Sequence, residues 1–138
     1  MNSEIQSIID HSLEYSGELL SQTGELYPFG AFTDNSGQVH PLEMEIDKKN
    51  IPTNGKIIET LWNFCMEEME DEKISAFGIS FESAMQIEEG KDPIDVVVII
   101  ANHKNGEELP AYCSQFKISG ENQVDFGEIF AVDKKFFN

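Results

Sequence analysis

The sequence contains no arginine. All nine of its basic residues are lysine, against 26 acidic residues, for a formal net charge of −17 over 138 residues. Arginine supplies the planar fork used for bidentate capture of phosphate and carboxylate and for reading guanine. Without it, and with a negative field around the chain, duplex DNA and anionic membrane surfaces are repelled. The same field draws a basic partner inward and speeds its association. Acidity alone also keeps a protein in solution, with no partner required.

Cysteine is scarce as well. Cys65 and Cys113 form no Cys-x-x-Cys pair, so neither a zinc site nor a redox motif is indicated. Both read as small buried hydrophobes. The longest apolar run, Val96 to Ala101, is far too short to cross a bilayer. The start, Met1-Asn2-Ser3-Glu4-Ile5, lacks the basic residues and apolar stretch of a secretory signal. A reducing, cytoplasmic location is the expectation. Catalytic signatures are missing too: there is no Gly-x-Ser-x-Gly elbow and no glycine-rich loop ending in Lys-Ser or Lys-Thr. Asp34-Asn35-Ser36-Gly37 lacks the ligand spacing of a calcium loop and reads as a turn. No catalytic residue, metal or cofactor is indicated.

What is present suits one domain over residues 1–138. Apolar residues make up 40% of the chain, with ten Phe among them, and a chain of this length buries roughly two-thirds of its unfolded surface without a metal or disulfide. A helix is predicted from about Ser3 to Gln22, with Ser3 as N-cap and Gln6 completing a capping box. Its stripe is Ile5, Ile8, Ile9, Leu13, Leu19 and Leu20, and Gly24 stands where a left-handed cap belongs. A hairpin follows, Tyr27 to Thr33 and Val39 to Ile46, turning at Asp34 to Gly37. A second helix, about Thr53 to Glu72, carries Ile57, Ile58, Leu61, Trp62, Cys65, Met66 and Met69. Trp62 and Phe64 are read as packing on the sheet. Its acidic end, Glu67 to Glu72, opposes the helix dipole and should fray or be held by something positive.

Four strands complete the pattern: around Phe77 to Glu82, Ile94 to Ala101, Tyr112 to Ile118, and Val124 to Val132. Ile94 to Ala101 is apolar on both faces, the mark of a central, covered strand. Lys134 to Asn138 carries no periodic pattern. Short turns imply antiparallel pairing. The prediction is an α+β fold: a single antiparallel sheet of about six strands with two helices on one face, in the order α-β-β-α-β-β-β-β. An α-β-β-α-β-β-β order is similar to that of roadblock and profilin-like domains, a topological resemblance, and such folds host many unrelated roles.

Four residues stand out as candidate binding groups. His40 and His103, if they converged with an acid, would make an acid–base or metal site. Tyr27 and Phe29, in Leu26-Tyr27-Pro28-Phe29-Gly30-Ala31, either enter a strand at a tight crossing or form the aromatic lip of a groove. That string, the Asp34 and Gly37 turn, Pro110 and Tyr112, and Val124-Asp125-Phe126-Gly127-Glu128 resemble a family of small bacterial proteins with no established function. The acidic, single-domain character is similar to that of immunity proteins of bacterial toxin systems. The leading expectation is a non-enzymatic immunity- or adaptor-like module that holds a basic protein. The alternative is a small-molecule-binding domain or enzyme with His40, His103 and nearby carboxylates in a pocket on the sheet. A third is self-association, since an apolar edge strand would permit a homodimer.

Overall fold

A computed structural model describes residues 2–137. Helix α1 (Ser3–Thr23) begins one residue earlier than the sequence suggests, because Asn2 is the N-cap and its side-chain oxygen accepts the Glu4 N–H at 2.8 Å. Gly24 closes the helix in the left-handed region at φ 74°, its N–H bonded to the Leu20 carbonyl. The buried stripe is Ile5, Ile8, Ile9, Ser12, Ser16 and Leu20. Leu13 and Leu19 only flank it. Two small hydroxyl residues thus occupy positions where apolarity alone would place leucines.

Strands β1 (Phe29–Asp34) and β2 (Val39–Leu42), helix α2 (Asn54–Glu70), and strands β3 (Ile74–Met85), β4 (Ile94–His103), β5 (Ala111–Ser119) and β6 (Gln123–Val132) follow. The strands form one six-stranded sheet in the order β2-β1-β3-β4-β5-β6, every neighbouring pair antiparallel. Fold class and element order are therefore as the sequence indicates, and β4 is the covered central strand, with Val96 to Ile99 buried.

The placement of the helices is a correction. They lie on opposite faces of the sheet, not on one. Side chains alternate across a strand, and β3 divides accordingly. Ala76 clusters with Ile5, Ile8 and Ile9 of α1, whereas Phe77 and Ile79 cluster with Ile57, Leu61 and Cys65 of α2. In β4, Val97, Ile99 and Ala101 face α1 while Ile100 packs against the α2 cluster. Gly78, Ser80 and Ala76 keep the α1 face of β3 shallow. A Cβ at Gly78 would lie 2.8 Å from Ile8 Cγ2, so the helix seats where glycine leaves room. The physical reason is already in β4: a strand apolar on both faces needs a cover on each.

Prolines set where the ladders stop. β2 ends at Leu42 rather than Ile46, because the next partner of Met44 would be Pro28, which has no N–H to give. Met44 and Ile46 still alternate inward against the α2 cluster. At the hairpin, Asp34 N–H donates to the Gln38 carbonyl at 3.0 Å. Stepping by two puts His40 and Leu42 in hydrogen-bonded positions and turns Val39 and Pro41 outward. The outer edge is thereby deprived of a donor at Pro41. The other edge, β6, is bulged: Ser114 pairs with Ile129 but Phe116 pairs with Phe126, leaving Gly127 and Glu128 opposite Gln115.

The β4–β5 ladder ends at Ile100–Ala111, where Pro110 would come next. The Ala101 carbonyl is instead taken by Lys134 Nζ at 2.8 Å, and that ammonium lies 5.4 Å from the Trp62 ring centroid. The patternless tail thus begins with a clamp between β4 and α2; Asn138 falls outside the described residues.

Candidate functional site

Tyr27 and Phe29 do not form a paired aromatic lip. Phe29 is 1% exposed and sits in the core, edge-to-face with Tyr15 at 4.8 Å between centroids. Tyr27, 44% exposed, is the only aromatic of the pair at the surface. It borders a cleft of about 260 Å³ with Leu19, Met44 and Ile46, edged by Glu25 and Glu43. The Tyr15 hydroxyl donates to Glu43, which pushes the Tyr15 pKa up to about 12. Gly30 does serve the close crossing: a Cβ there would lie 3.2 Å from Ile79 Cδ1.

His40 belongs to the β1–β2 turn. Its Nε2 lies 2.7 Å from Asp34 Oδ2, and its ring stacks on Phe32. Asp34 Oδ1 accepts from the Ser36 hydroxyl and from the Ser36 and Gln38 N–H groups. The Ser36 hydroxyl first, and His40 second, hold the Asp34 carboxyl well below the usual carboxylate range. These bonds all close a tight turn.

His103 ends β4 on the opposite face. Its Nδ1 accepts the Asn105 N–H at 3.1 Å, so the ring proton is on Nε2, which donates to Glu4 Oε1 at 2.9 Å. The Glu4 carboxylate also accepts from the Ser75 hydroxyl and from Thr33 Oγ1 at 3.2 Å. Ser75 foremost, with His103 next, lowers the Glu4 pKa from its ordinary value. The cluster ties the first turn of α1 to β1, β3 and β4. It resembles a catalytic set only in residue types. Ser75 is 2% exposed and its hydroxyl points to a carboxylate, not to an imidazole; both His103 nitrogens are already engaged.

The two histidines do not converge. His40 pairs with Phe32, whose β3 partner is Phe77, while His103 pairs with Ala76, one residue on and therefore facing the other way. Three strand spacings separate them, about 14 Å. The paired-histidine pocket is not formed. Among the described residues no group of three or more His, Cys, Asp or Glu is placed to hold a metal ion. Cys65 and Cys113 are buried, and burial pushes their thiols up to about 12 and about 11, so both stay protonated near neutral pH. No helix among the described residues is long and apolar enough to cross a membrane.

A larger cleft, about 690 Å³, opens where the C-terminal end of α2 meets the start of β3 and the end of β4. Sequence reading did not single it out, although its materials were in view. Met66 and Met69 of α2 and Ile74 of β3 supply its apolar part, Glu70 and Glu72 its carboxylates, and Lys104 also borders it. At the acidic end of α2 a backbone cap closes the helix, and Lys73 Nζ lies 3.9 Å from Glu68 Oε2. The Lys73 N–H bonds to the Glu68 carbonyl and the Glu72 N–H to that of Met69, the paired bonds of a Schellman cap. Glu72 holds φ 59°, the left-handed position usually given to glycine, and its carbonyl accepts from Asn35 Nδ2 at 2.9 Å. Trp62 packs edge-to-face on Phe77, but Phe64 is exposed. Residues two apart on a helix point about 200° apart and do not share a face. No family model, curated protein or solved structure matches the chain.

Proposed function

We propose that this chain is a non-enzymatic protein-binding module of the immunity or adaptor kind, working in a bacterial cytoplasm and holding a basic protein by its acidic surface. The observation that supports this reading is the distribution of charge over the two helices. The exposed ridge of α1 runs Asp10, Glu14, Glu18, and the helix contains no lysine. Like charges at i,i+4 spacing weaken a helix, so the ridge is not there for the helix's own sake. On the opposite face, α2 exposes Glu59, Glu67 and Glu70 with Lys56 as its single cation. A negative field on both faces raises the encounter rate with a cationic partner whatever its approach.

Self-association is the less favoured partner. Pro41 and the β6 bulge each interrupt an edge along which a second copy would pair, and two copies would bring their negative fields together. His40 and His103 do not share a pocket, because those side chains face opposite ways.

The test is a pull-down from the native cells at low and at high salt. A basic protein should be retained at low salt and released at high salt. Retention of nothing basic at either salt would sink the reading, and light scattering showing a stable dimer would move it toward self-association.

A further inference from the structure

We infer that the cleft at the C-terminal end of α2 is where the basic partner docks, and that it takes an arginine or lysine flanked by apolar residues. This rests on the acidic-module reading and adds a location and a chemistry to it. The cleft combines two features that one basic, amphipathic segment satisfies together. Met66, Met69 and Ile74 present an apolar surface built largely of flexible thioethers, which mould to varied shapes. Glu70 and Glu72 stand beside it at the negative end of the α2 dipole, which attracts cations. A long cationic side chain can lay its methylenes on the methionines while its head stays with the carboxylates. An anionic ligand would meet its own sign at Glu70, Glu72 and the end of the α2 dipole, with Lys104 as the countercharge. The cleft, at about 690 Å³, is of the size that holds one or two side chains of a partner.

Glu72 adds a second line. Its backbone occupies the left-handed position of the helix cap at φ 59°. Glycine would sit there without a Cβ penalty. Glu72 thus carries backbone strain at a residue that lines the cleft.

The experiment uses the full chain with its methionine methyl groups labelled for NMR. The probe is a short peptide alternating arginine and leucine, with a glutamine-for-arginine peptide as control. At low salt the arginine peptide should shift the Met66 and Met69 methyl signals and leave those of Met44, at the Tyr27 cleft, and of buried Met85 in place. Glu70→Gln with Glu72→Gln should weaken binding about fivefold, and Glu14→Gln with Glu18→Gln on α1 by much less. Glu72→Gly should weaken binding without lowering the urea midpoint, which separates a docking role from a folding one. The docking site is overturned if the peptide fails to bind, if Met44 shifts in place of Met66 and Met69, if the two double variants weaken binding equally, or if the glutamine peptide binds as well. In each of those cases a basic protein retained in the pull-down leaves the broader reading standing, whereas a pull-down without one removes that reading itself.

Discussion

A glycine on β3 governs how closely α1 can approach the sheet. Gly78 faces α1, and a Cβ there would meet Ile8 Cγ2 at 2.8 Å and Ile99 Cγ2 at 3.2 Å. Ile8 and Ile99 are themselves fully packed, so neither can give way without disturbing other neighbours. Gly78→Ala should destabilise the fold by about 1–3 kcal/mol, the usual range for overpacking a core. A drop in the urea midpoint with unchanged slope is the expected reading; an unchanged midpoint would mean that α1 rides farther from the sheet than described. Glu72 is the converse case. Replacing it by glycine removes a left-handed non-glycine residue and should stabilise the chain by about 1 kcal/mol, readable in the same titration.

At the scale of elements, two polar devices tie distant segments together alongside the apolar packing. Glu4 pins the first turn of α1 to Ser75, Thr33 and His103. Its pKa is lowered in the folded chain, chiefly by the Ser75 hydroxyl and then by His103, and Asp34 is lowered too, by Ser36 and His40. A carboxyl lowered on folding contributes stability that is present above its unfolded pKa and lost as pH falls through the folded value. Stability should therefore decline as pH is lowered below about 4.5, with a shallower decline in Glu4→Gln, as measured by urea midpoints across that range. The second device is Lys134, which bonds the Ala101 carbonyl and lies over Trp62. Lys134→Met keeps the stem but leaves that carbonyl without its ammonium. A loss of about 1–2 kcal/mol in thermal unfolding is expected, together with a change in the fluorescence of Trp62, the only tryptophan.

Over the whole molecule the dominant feature is self-repulsion. A net charge of −17 on 138 residues, with acids exposed on helices that cover both faces, leaves no neutral side to which the field is confined. Charge of one sign destabilises the compact state, and added salt screens it over about 8 Å at physiological ionic strength. The thermal midpoint should rise between about 10 mM and about 150 mM sodium chloride, as the Debye length falls from about 30 Å to about 8 Å. A midpoint that falls would show that favourable ion pairs outweigh the repulsion. An exposed ion pair such as Lys91–Glu88, at 2.7 Å, adds little against it.

Much of the fold was legible because it rests on local rules. Helical spacing in Ile5, Ile8 and Ile9, alternation in Phe77, Ile79 and Phe81, and turn chemistry at Asp34 to Gly37 each depend on residues close in sequence. Element order and the six-stranded antiparallel sheet followed from them. Even the second face was implied by the doubly apolar β4, although each helix's stripe says only that it packs, not on which side. What depended on tertiary structure was every meeting between distant residues. His40 and His103 were separated because strand register puts neighbours one residue apart on opposite faces, an offset that no local pattern reveals. Phe29 went to the core and Tyr27 to the surface through the seating of α1 against β1. Lys134 found Ala101 because Pro110 left a carbonyl open far away in sequence. Composition alone determined the sign of the field and the partners it repels, since charge acts at long range whatever the fold. Only the packed structure set the acidic end of α2 beside Met66, Met69 and Ile74, because a cleft is a property of how elements meet.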